Sequence, residues 1–539
     1  MMRLSTIRLS ILATVFGFAL QSFAATEKLT GEEMFEMTEE AVAVSEEGSF
    51  QPLDLAAMRK SIKEQEQKRK LASDKYSQDV LASKQSPQAK AFVKEYLALA
   101  KQPDPAQALD TFITKYEAQY ATLPPDLKFA VAQLAPLRAF RSMVWRLIPT
   151  VASSKPVQAL LISQVKNTIT AMRIFAPDPS WDVVKSYITQ PIQENGVYPS
   201  PPARKGQVVA QFPSESQAKA ANQEPEVAVQ IEFIRYVAPS IERAISRLSQ
   251  LNLSNEIVAD LAVVAGENRF ARGAQRYLLV GEVERMLALA NLEIFASSLR
   301  FNLQYRWDGS VEVGENLFGL FGIQAVKQAF VPNGITASEI VPNIRSNTIW
   351  GRKLQTKDDV QLRLAAKWFK ESAGSAVAAY EALRSRPAED SFAVWNLLSP
   401  TNALVQQEID KAIGVLENLH AGKDVVFTSR ISGETVRVSI YGLFNQPVGD
   451  LKSFLSTTQD TAEAVNLTKT IAGKPYQFRN YNQGRSTSWN LAAYATIFPD
   501  LKSCGAGAEC QRKLRSYARV LAESWTGAPF MPLLSGVLL

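Results

Sequence analysis

Two cysteines and one histidine are all that this 539-residue chain offers to thiol or imidazole chemistry. Cys504 and Cys510 stand in "KSCGAGAECQRK" and His420 in "VLENLHAGKD". With three such ligands the chain cannot complete a four-ligand Cys/His zinc site by itself. A Ser–His or Cys–His hydrolase would have to be built on His420 alone. His420 falls at the end of a helix expected from about Asn402, and Gly422 follows as a C-terminal cap. An imidazole there meets the negative end of the helix dipole, so its expected role is structural. For the cysteines, a metal pair would need ligands from elsewhere, and a redox dithiol more often has two intervening residues. A disulfide between Cys504 and Cys510 is the expectation, closing a small Gly-Ala loop before a helix from Gln511 to Trp525. The chain-entropy relation assigns so short a loop about 2 kcal/mol.

Phosphate-binding loops are missing. "GLFGIQ", "CGAGAEC" and "TIAGKPY" lack the strand–Gly-loop–helix context of a nucleotide site. "SQAK" (Ser216 to Lys219) has the Ser-x-x-Lys spacing of some acyl-transfer enzymes, but in a polar stretch unsuited to an activated serine. No metal and no cofactor are expected. Carboxylates are plentiful, and a glycosidase needs only one or two of them, placed by the fold. No single Glu or Asp stands out.

One stretch is dense in ligand-contacting residue types. "KPYQFRNYNQGRSTSWN" (Lys474 to Asn490) mixes aromatic rings with planar amides and two arginines. Rings supply rigid apolar faces, while Asn, Gln and Arg supply directional hydrogen bonds. That mixture suits a sugar or a peptide with exposed amides. Gly484 and the Ser-Thr-Ser run predict a loop. Tyr476, Phe478, Arg479, Tyr481, Asn482, Arg485 and Trp489 are the candidate binding residues. The plainer reading is that these rings pin a long loop to the body. Basic residues also cluster at Arg138, Arg141 and Arg146, and at Arg269, Arg272 and Arg276. They could meet an anionic glycan, lipid headgroups or an acidic protein. Alternatively, they line helix faces and cover apolar surface with their stems.

The elements that hold these residues are mostly helical. The first residues, 1–24, have the pattern of a signal peptide: Arg3 and Arg8, an apolar core from Leu9 to Leu20, then Ser22 and Ala24 before an expected cleavage. The style is bacterial, so a periplasmic or secreted protein is expected. No later stretch is long and apolar enough for a membrane span, and nucleic acid is not an expected partner in that compartment. The net charge is +6. Setting aside Arg3 and Arg8 leaves +4. Residues 25–50 hold eight Glu against one Lys, so the rest of the chain carries +11. This acidic leader can lie back on the basic body or stay solvated.

Proline marks most breaks in residues 51–192. Helices are expected from Leu53 to Ala82, Pro87 to Ala100, Pro105 to Tyr120, Pro125 to Ile148 and Pro156 to Phe175. In "DPAQALDTFITKYEAQY", Asp104 can cap, Pro105 can sit in the first turn, and Ala108, Phe112, Ile113 and Tyr116 recur at helical spacing. Residues 193–226 are rich in Pro, Gln, Ser and Ala and predict a linker or long loop. A central helical domain follows over 227–423. It has helices at Val227 to Tyr236 and Pro239 to Leu251, and a strongly apolar one from Ala274 to Leu303. A short hairpin is expected at 305–313 around Asp308-Gly309, and a stronger one at 424–444. There Val425, Phe427, Ser429 and Ile431 alternate, Ser432-Gly433 turns, and Val436, Val438 and Ile440 alternate again. The two hairpins are expected to pair into one small sheet. Residues 445–539 return to helix, including Leu451 to Leu467. The fold class is thus mainly α: an array of Pro-bounded helical hairpins with a small β-hairpin insert, solenoid-like only by analogy because no fixed repeat of 30 to 45 residues runs through it.

Export, the helical array and the poverty of catalytic residue types point to a non-catalytic protein that binds or organises a cell-envelope component. Its partner would be an envelope protein or a cell-wall glycan or peptide. The competing expectation is a carboxylate-dependent hydrolase of cell-wall glycan.

Overall fold

The computed structural model describes residues 55–70, 78–151, 181–191, 230, 232–253, 255–260, 277–305, 354–355, 359–385, 403–429, 432–450, 453, 457–460, 465–471, 474–480, 485–488, 490–504 and 508–523. The mainly α expectation with a small β hairpin holds. The leader, the 193–226 linker, residues 306–313 of the expected 305–313 hairpin, the helix at 156–175 and Arg269, Arg272 and Arg276 lie outside the described residues.

The N-terminal helices are α1 (Leu55–Lys70), α2 (Gln78–Lys84), α3 (Pro87–Ala98), α4 (Pro105–Ala118), α5 (Pro125–Leu134), α6 (Met143–Val151) and α7 (Trp181–Thr189). Their starts are set locally. Ser86 Oγ accepts from Ala89 N at 3.0 Å ahead of Pro87, and Asp104 Oδ1 accepts from Gln107 N at 3.0 Å ahead of Pro105. A capping side chain satisfies an orphan N–H, and proline in the first turn has no N–H to satisfy. Phe92 of α3 packs on Phe112 and Tyr116 of α4 with ring centroids 4.9 and 4.8 Å apart. The single helix expected from Pro125 to Ile148 is broken instead. Pro136 lacks the N–H an α-helix needs, residues Ala135–Phe140 tighten to 3₁₀, and Ser142 turns the chain with φ +58°.

The central body begins with a π-turn at Phe233–Val237 running into α8 (Ala238–Ser249). Strands β1 (Ile257–Asp260) and β2 (Tyr277–Val280) pair antiparallel, Ile257 opposite Val280. The helix expected from Ala274 therefore starts only at α9 (Glu282–Leu303). Val280 belongs to the strand, and Glu284 Oε2 accepts from Gly281 N at 2.8 Å to open the helix. Helices α10 (Val360–Ser385) and α11 (Ala403–His420) follow. Helix α9 is the centre: α8 and α10 pack along it, and all but two of its residues are buried. Gln230 Nε2 donates to the carbonyls of Leu303 and Tyr305 at 2.9 and 3.0 Å, satisfying the C-terminal end of α9. Packing is not confined to neighbours in sequence, because Arg59 of α1 reaches Glu381 of α10 and Glu417 of α11, each at 3.1 Å.

A second core lies at the other end of α9 and α10, where Phe301, Leu362 and Leu419 meet the 424–444 hairpin. Strands β3 (Val425–Thr428) and β4 (Thr435–Val438) pair as expected, Val425 opposite Val438 and Phe427 opposite Val436. The alternating residues Val425, Phe427, Ser429, Val436, Val438 and Ile440 are buried, and Gly433 takes φ +74° in the turn. Among the described strands this hairpin pairs with no other, and the 306–313 stretch it was expected to join lies outside the described residues. A short α12 (Gly442–Asn445) follows. The expected helix at 451–467 is replaced by β5 (Thr457–Asp460) and the start of β6 (Val465–Ile471). Thr457, Thr458, Thr468 and Thr470 are β-branched and resist helix, and Val465, Leu467 and Ile471 recur at period 2. Strands β7 (Lys474–Asn480) and β8 (Arg485–Ser488), then α13 (Leu491–Tyr494) and α14 (Ala508–Glu523), complete the order. Helix α14 packs on β3 and β4.

Candidate functional site

The stretch read as a binding loop is a pair of strands. Its residues 474–480 form β7 and its residues 485–488 form β8. Strand β7 pairs with β6 from Ile471↔Lys474 to Val465↔Asn480, and β8 pairs with β5 from Asp460↔Arg485 to Thr457↔Ser488. Paired residue numbers add to the same total in both ladders, and the stretches between them, 461–464 and 481–484, are equal in length. The two ladders, each a two-stranded sheet, thus share one antiparallel register and together make up the β5–β8 ribbon. The loop expectation gave weight to Gly484 and the serines. It missed the period-2 run of β6, which supplies the partner strand.

The register sorts the candidate residues. Phe478 stands opposite Leu467 and Tyr476 opposite Lys469, two positions along, so these four share one face. Arg479 stands opposite Asn466 and falls on the other face with Thr468 and Gln477. Arg485 stands opposite Asp460 at the end of the β5–β8 ladder nearest β6–β7. The backbone thus brings Tyr476 and Phe478 together and separates both from Arg479. Tyr481, Asn482 and Trp489 lie outside the described residues.

Cys504 and Cys510 form a disulfide, with sulfurs 1.98 Å and Cα atoms 5.8 Å apart. The bond ties the chain after the 3₁₀ turn Pro499–Leu501 to the first turn of α14, with Cys510 buried. His420 ends α11, its Nδ1 3.0 Å from the Lys370 carbonyl, and Gly422 takes φ +72° just beyond. A left-handed residue after a helix suits glycine, as the sequence implied.

The arginines at 138, 141 and 146 are not a surface patch: each is about one twenty-fifth exposed, at 4%. Arg138 binds Glu117 at 2.6 Å, and Arg146 binds both oxygens of Glu232 at 2.7 and 3.3 Å. Arg141 lies over the Tyr187 ring, 5.0 Å from its centroid. Tyr187 donates to Asp110 at 3.1 Å. Burial raises the Asp110 carboxyl above the usual range, against the lowering pull of Arg138 and Arg141.

The largest concentration of buried charge was not legible in advance, and it runs along α9. Arg285 donates to Glu282 Oε2 from Nε at 2.7 Å and to the Leu248 carbonyl at 2.8 Å. Arg300 grips Glu242 with two bonds of 2.8 and 2.7 Å and Gln361 Oε1 with a third of 2.8 Å. Trp368 Nε1 adds a 3.0 Å bond to Glu242. Glu293 differs from these. It is 0% exposed, accepts one 2.9 Å bond from Ser375 Oγ at Oε2, and its Oε1 has no hydrogen-bond partner. Burial pushes its carboxyl up to about 8, the Ser375 bond lowers it, Glu371 raises it and Arg285 lowers it. A group held protonated near neutral pH has the property of a general acid, yet this one sits inside the α9–α10 interface. The sequence signal was the presence of Glu in the most apolar helix, which shows that a charge is buried but not how it is compensated.

Among the described residues no group of three His, Cys, Asp or Glu side chains is arranged to hold a metal ion. No described helix is long and apolar enough to cross a membrane. No known family, curated protein or solved structure matches the chain.

Proposed function

We propose that this is an exported, non-catalytic helical protein that binds or organises a component of the bacterial cell envelope, making contact through the β5–β8 ribbon. The observation that carries the reading is the ribbon's register, which gathers Tyr476 and Phe478 on one face and Arg479, Gln477 and Asn466 on the other. By contrast, Arg138, Arg146, Arg285 and Arg300 of the helical body are spent on buried carboxylates in its interior. Export is supported by the pattern of residues 1–24 and by the Cys504–Cys510 bond, which persists in an oxidising compartment. Co-sedimentation of the mature chain with purified envelope fractions tests the reading, with retention expected and loss on replacing the ribbon tip by a short Gly-Ser turn. Equal retention without the tip would remove the ribbon from the proposal.

The competing reading, a carboxylate-dependent hydrolase of wall glycan, has one observation in its favour: the carboxyl of Glu293 is raised into the range of a general acid. Its enclosure between α9 and α10 favours a structural role instead. Zymography on peptidoglycan should show no clearing. A cleared band that disappears in Glu293→Gln would replace the binding reading.

A further inference from the structure

We propose that the tip half of the ribbon, β6–β7, is a membrane-surface hairpin that lays its apolar face on a bilayer rich in anionic lipid. The inference rests on the envelope-binding reading above and names the partner. The register puts Val465, Leu467, Ile471, Tyr476 and Phe478 on one face of the ladder, together with Lys469, Lys474 and Asn480. Asn466, Thr468, Thr470, Gln477 and Arg479 fall on the opposite face with Pro475. The ladder is therefore amphipathic across its width.

The β3–β4 hairpin has the same alternation, and there the apolar face is covered. Val425, Phe427, Val436 and Val438 are buried, and α14 and α11 pack on that sheet. Among the described elements, β6–β7 has no corresponding helix along it. A lone two-stranded ribbon is marginal in water, so an apolar face of this kind calls for an occupant.

Charge identifies the occupant. Between residues 465 and 480 stand Lys469, Lys474 and Arg479, with no Asp or Glu. Lys469 and Lys474 are on the apolar face itself, Lys469 opposite Tyr476 and Lys474 at the turn end opposite Ile471. Apolar residues flanked by lysines, with a tyrosine among them, fit the boundary between acyl chains and anionic headgroups. Long lysine stems reach headgroups from apolar depth, and tyrosine rings favour that zone. A neutral glycan would use the rings but leave the cations without a counterpart.

The test is co-sedimentation of the full mature chain with vesicles of phosphatidylglycerol and phosphatidylethanolamine, beside vesicles of phosphatidylcholine alone. Binding to the anionic vesicles is expected to weaken at high salt. Leu467→Ser with Phe478→Ser should weaken it at least about tenfold. Lys469→Gln with Lys474→Gln should weaken it by about fivefold per cation at low salt. Thr468→Ser with Gln477→Ser, a pair on the other face, should change it less than about twofold. An unchanged melting temperature keeps the variants interpretable. Equal binding to both vesicle types, or no loss in the apolar-face variant, overturns the inference. Binding to purified wall sacculi but not to vesicles overturns it while leaving the envelope reading intact, and binding to neither overturns both. A concentration-dependent dimer abolished by Leu467→Ser with Phe478→Ser would assign the face to a second copy of the chain and also overturn it.

Discussion

Replacing Glu293 by Gln should stabilise the protein, by an amount that grows with pH. The carboxyl is fully buried between α9 and α10, accepts one bond from Ser375 at 2.9 Å, and is pushed up to about 8 from an ordinary 4.5. Below the ordinary value both the folded and the unfolded chain hold the proton, and the group is neutral to stability. Between the two values the folded chain keeps a proton that the unfolded chain has released. Stability then falls by about 1.4 kcal/mol for each pH unit, and above the folded value the loss is complete. At pH 7 the accumulated penalty is roughly 3 kcal/mol by the same relation. Glutamine does not titrate and can still accept from Ser375. Its amide N–H, however, would occupy the position of Oε1, which has no partner, at a cost of about 1 kcal/mol. The net expectation is a variant about 2 kcal/mol more stable than the parent at pH 7, with the two equal near about pH 5. Urea denaturation of both proteins at several values between pH 5 and pH 8 measures this. A difference between parent and variant that stays flat across that range would show that Glu293 is not held protonated.

Further predictions concern the body. Arg300→Met leaves Glu242 buried with only part of its hydrogen bonding and should cost about 3–5 kcal/mol, whereas adding Glu242→Leu should recover most of that loss in a double-mutant cycle read by denaturation. Gly442→Ala would drive a Cβ into the Thr496 carbonyl oxygen, so the segment must move and thermal unfolding should reveal a loss of about 1–3 kcal/mol. Ser142→Gly relaxes a left-handed backbone at φ +58° and should stabilise by about 1 kcal/mol. Cys504→Ser with Cys510→Ser should lower stability by about 2 kcal/mol, and thiol titration of the unfolded, unreduced parent should find no free cysteine.

The helices legible in the sequence are those whose limits are chemical and local. Pro105 behind Asp104 marks the start of α4 to the residue, and Pro87 behind Ser86 does the same for α3. The 424–444 hairpin was equally legible, because its burial pattern and its turn agree. The misreadings arose where local preference is divided. Residues 451–467 contain Leu, Lys, Ala and Glu beside repeated Thr, and the threonines decide once a pairing strand is within reach. Tyr277–Val280 is apolar on all sides and reads equally as strand or helix by periodicity, so its pairing with Ile257–Asp260 settles it. For the candidate site, the residue types were legible and their faces were not. Whether Tyr476 lies beside Arg479 or across from it depends on the register, which is a property of two strands together.

The buried charges on α9 bear on how such a body could serve a binding ribbon. Replacing a buried ion pair with apolar residues commonly costs nothing or even stabilises, so pairs such as Arg300–Glu242 are weak evidence for stability. Their effect is geometric. Arg300 has three bonds to two side chains, and Glu242 also accepts from Trp368, so sliding α10 along α9 by one turn would leave several buried donors and acceptors without partners. Ser372 and Ser297 add fixed points, donating across the same interface to the carbonyls of Ala290 and Ala365 at 2.8 and 2.7 Å. Two long apolar helices held only by leucines and alanines would tolerate several registers, whereas this set admits one. The second core is built on the C-terminal part of α9 and the N-terminal part of α10, through Phe301, Leu362 and Ala365, and carries the β3–β4 hairpin and α14. Fixing the α9–α10 register therefore fixes the platform from which the chain leaves for β5 and to which it returns after β8.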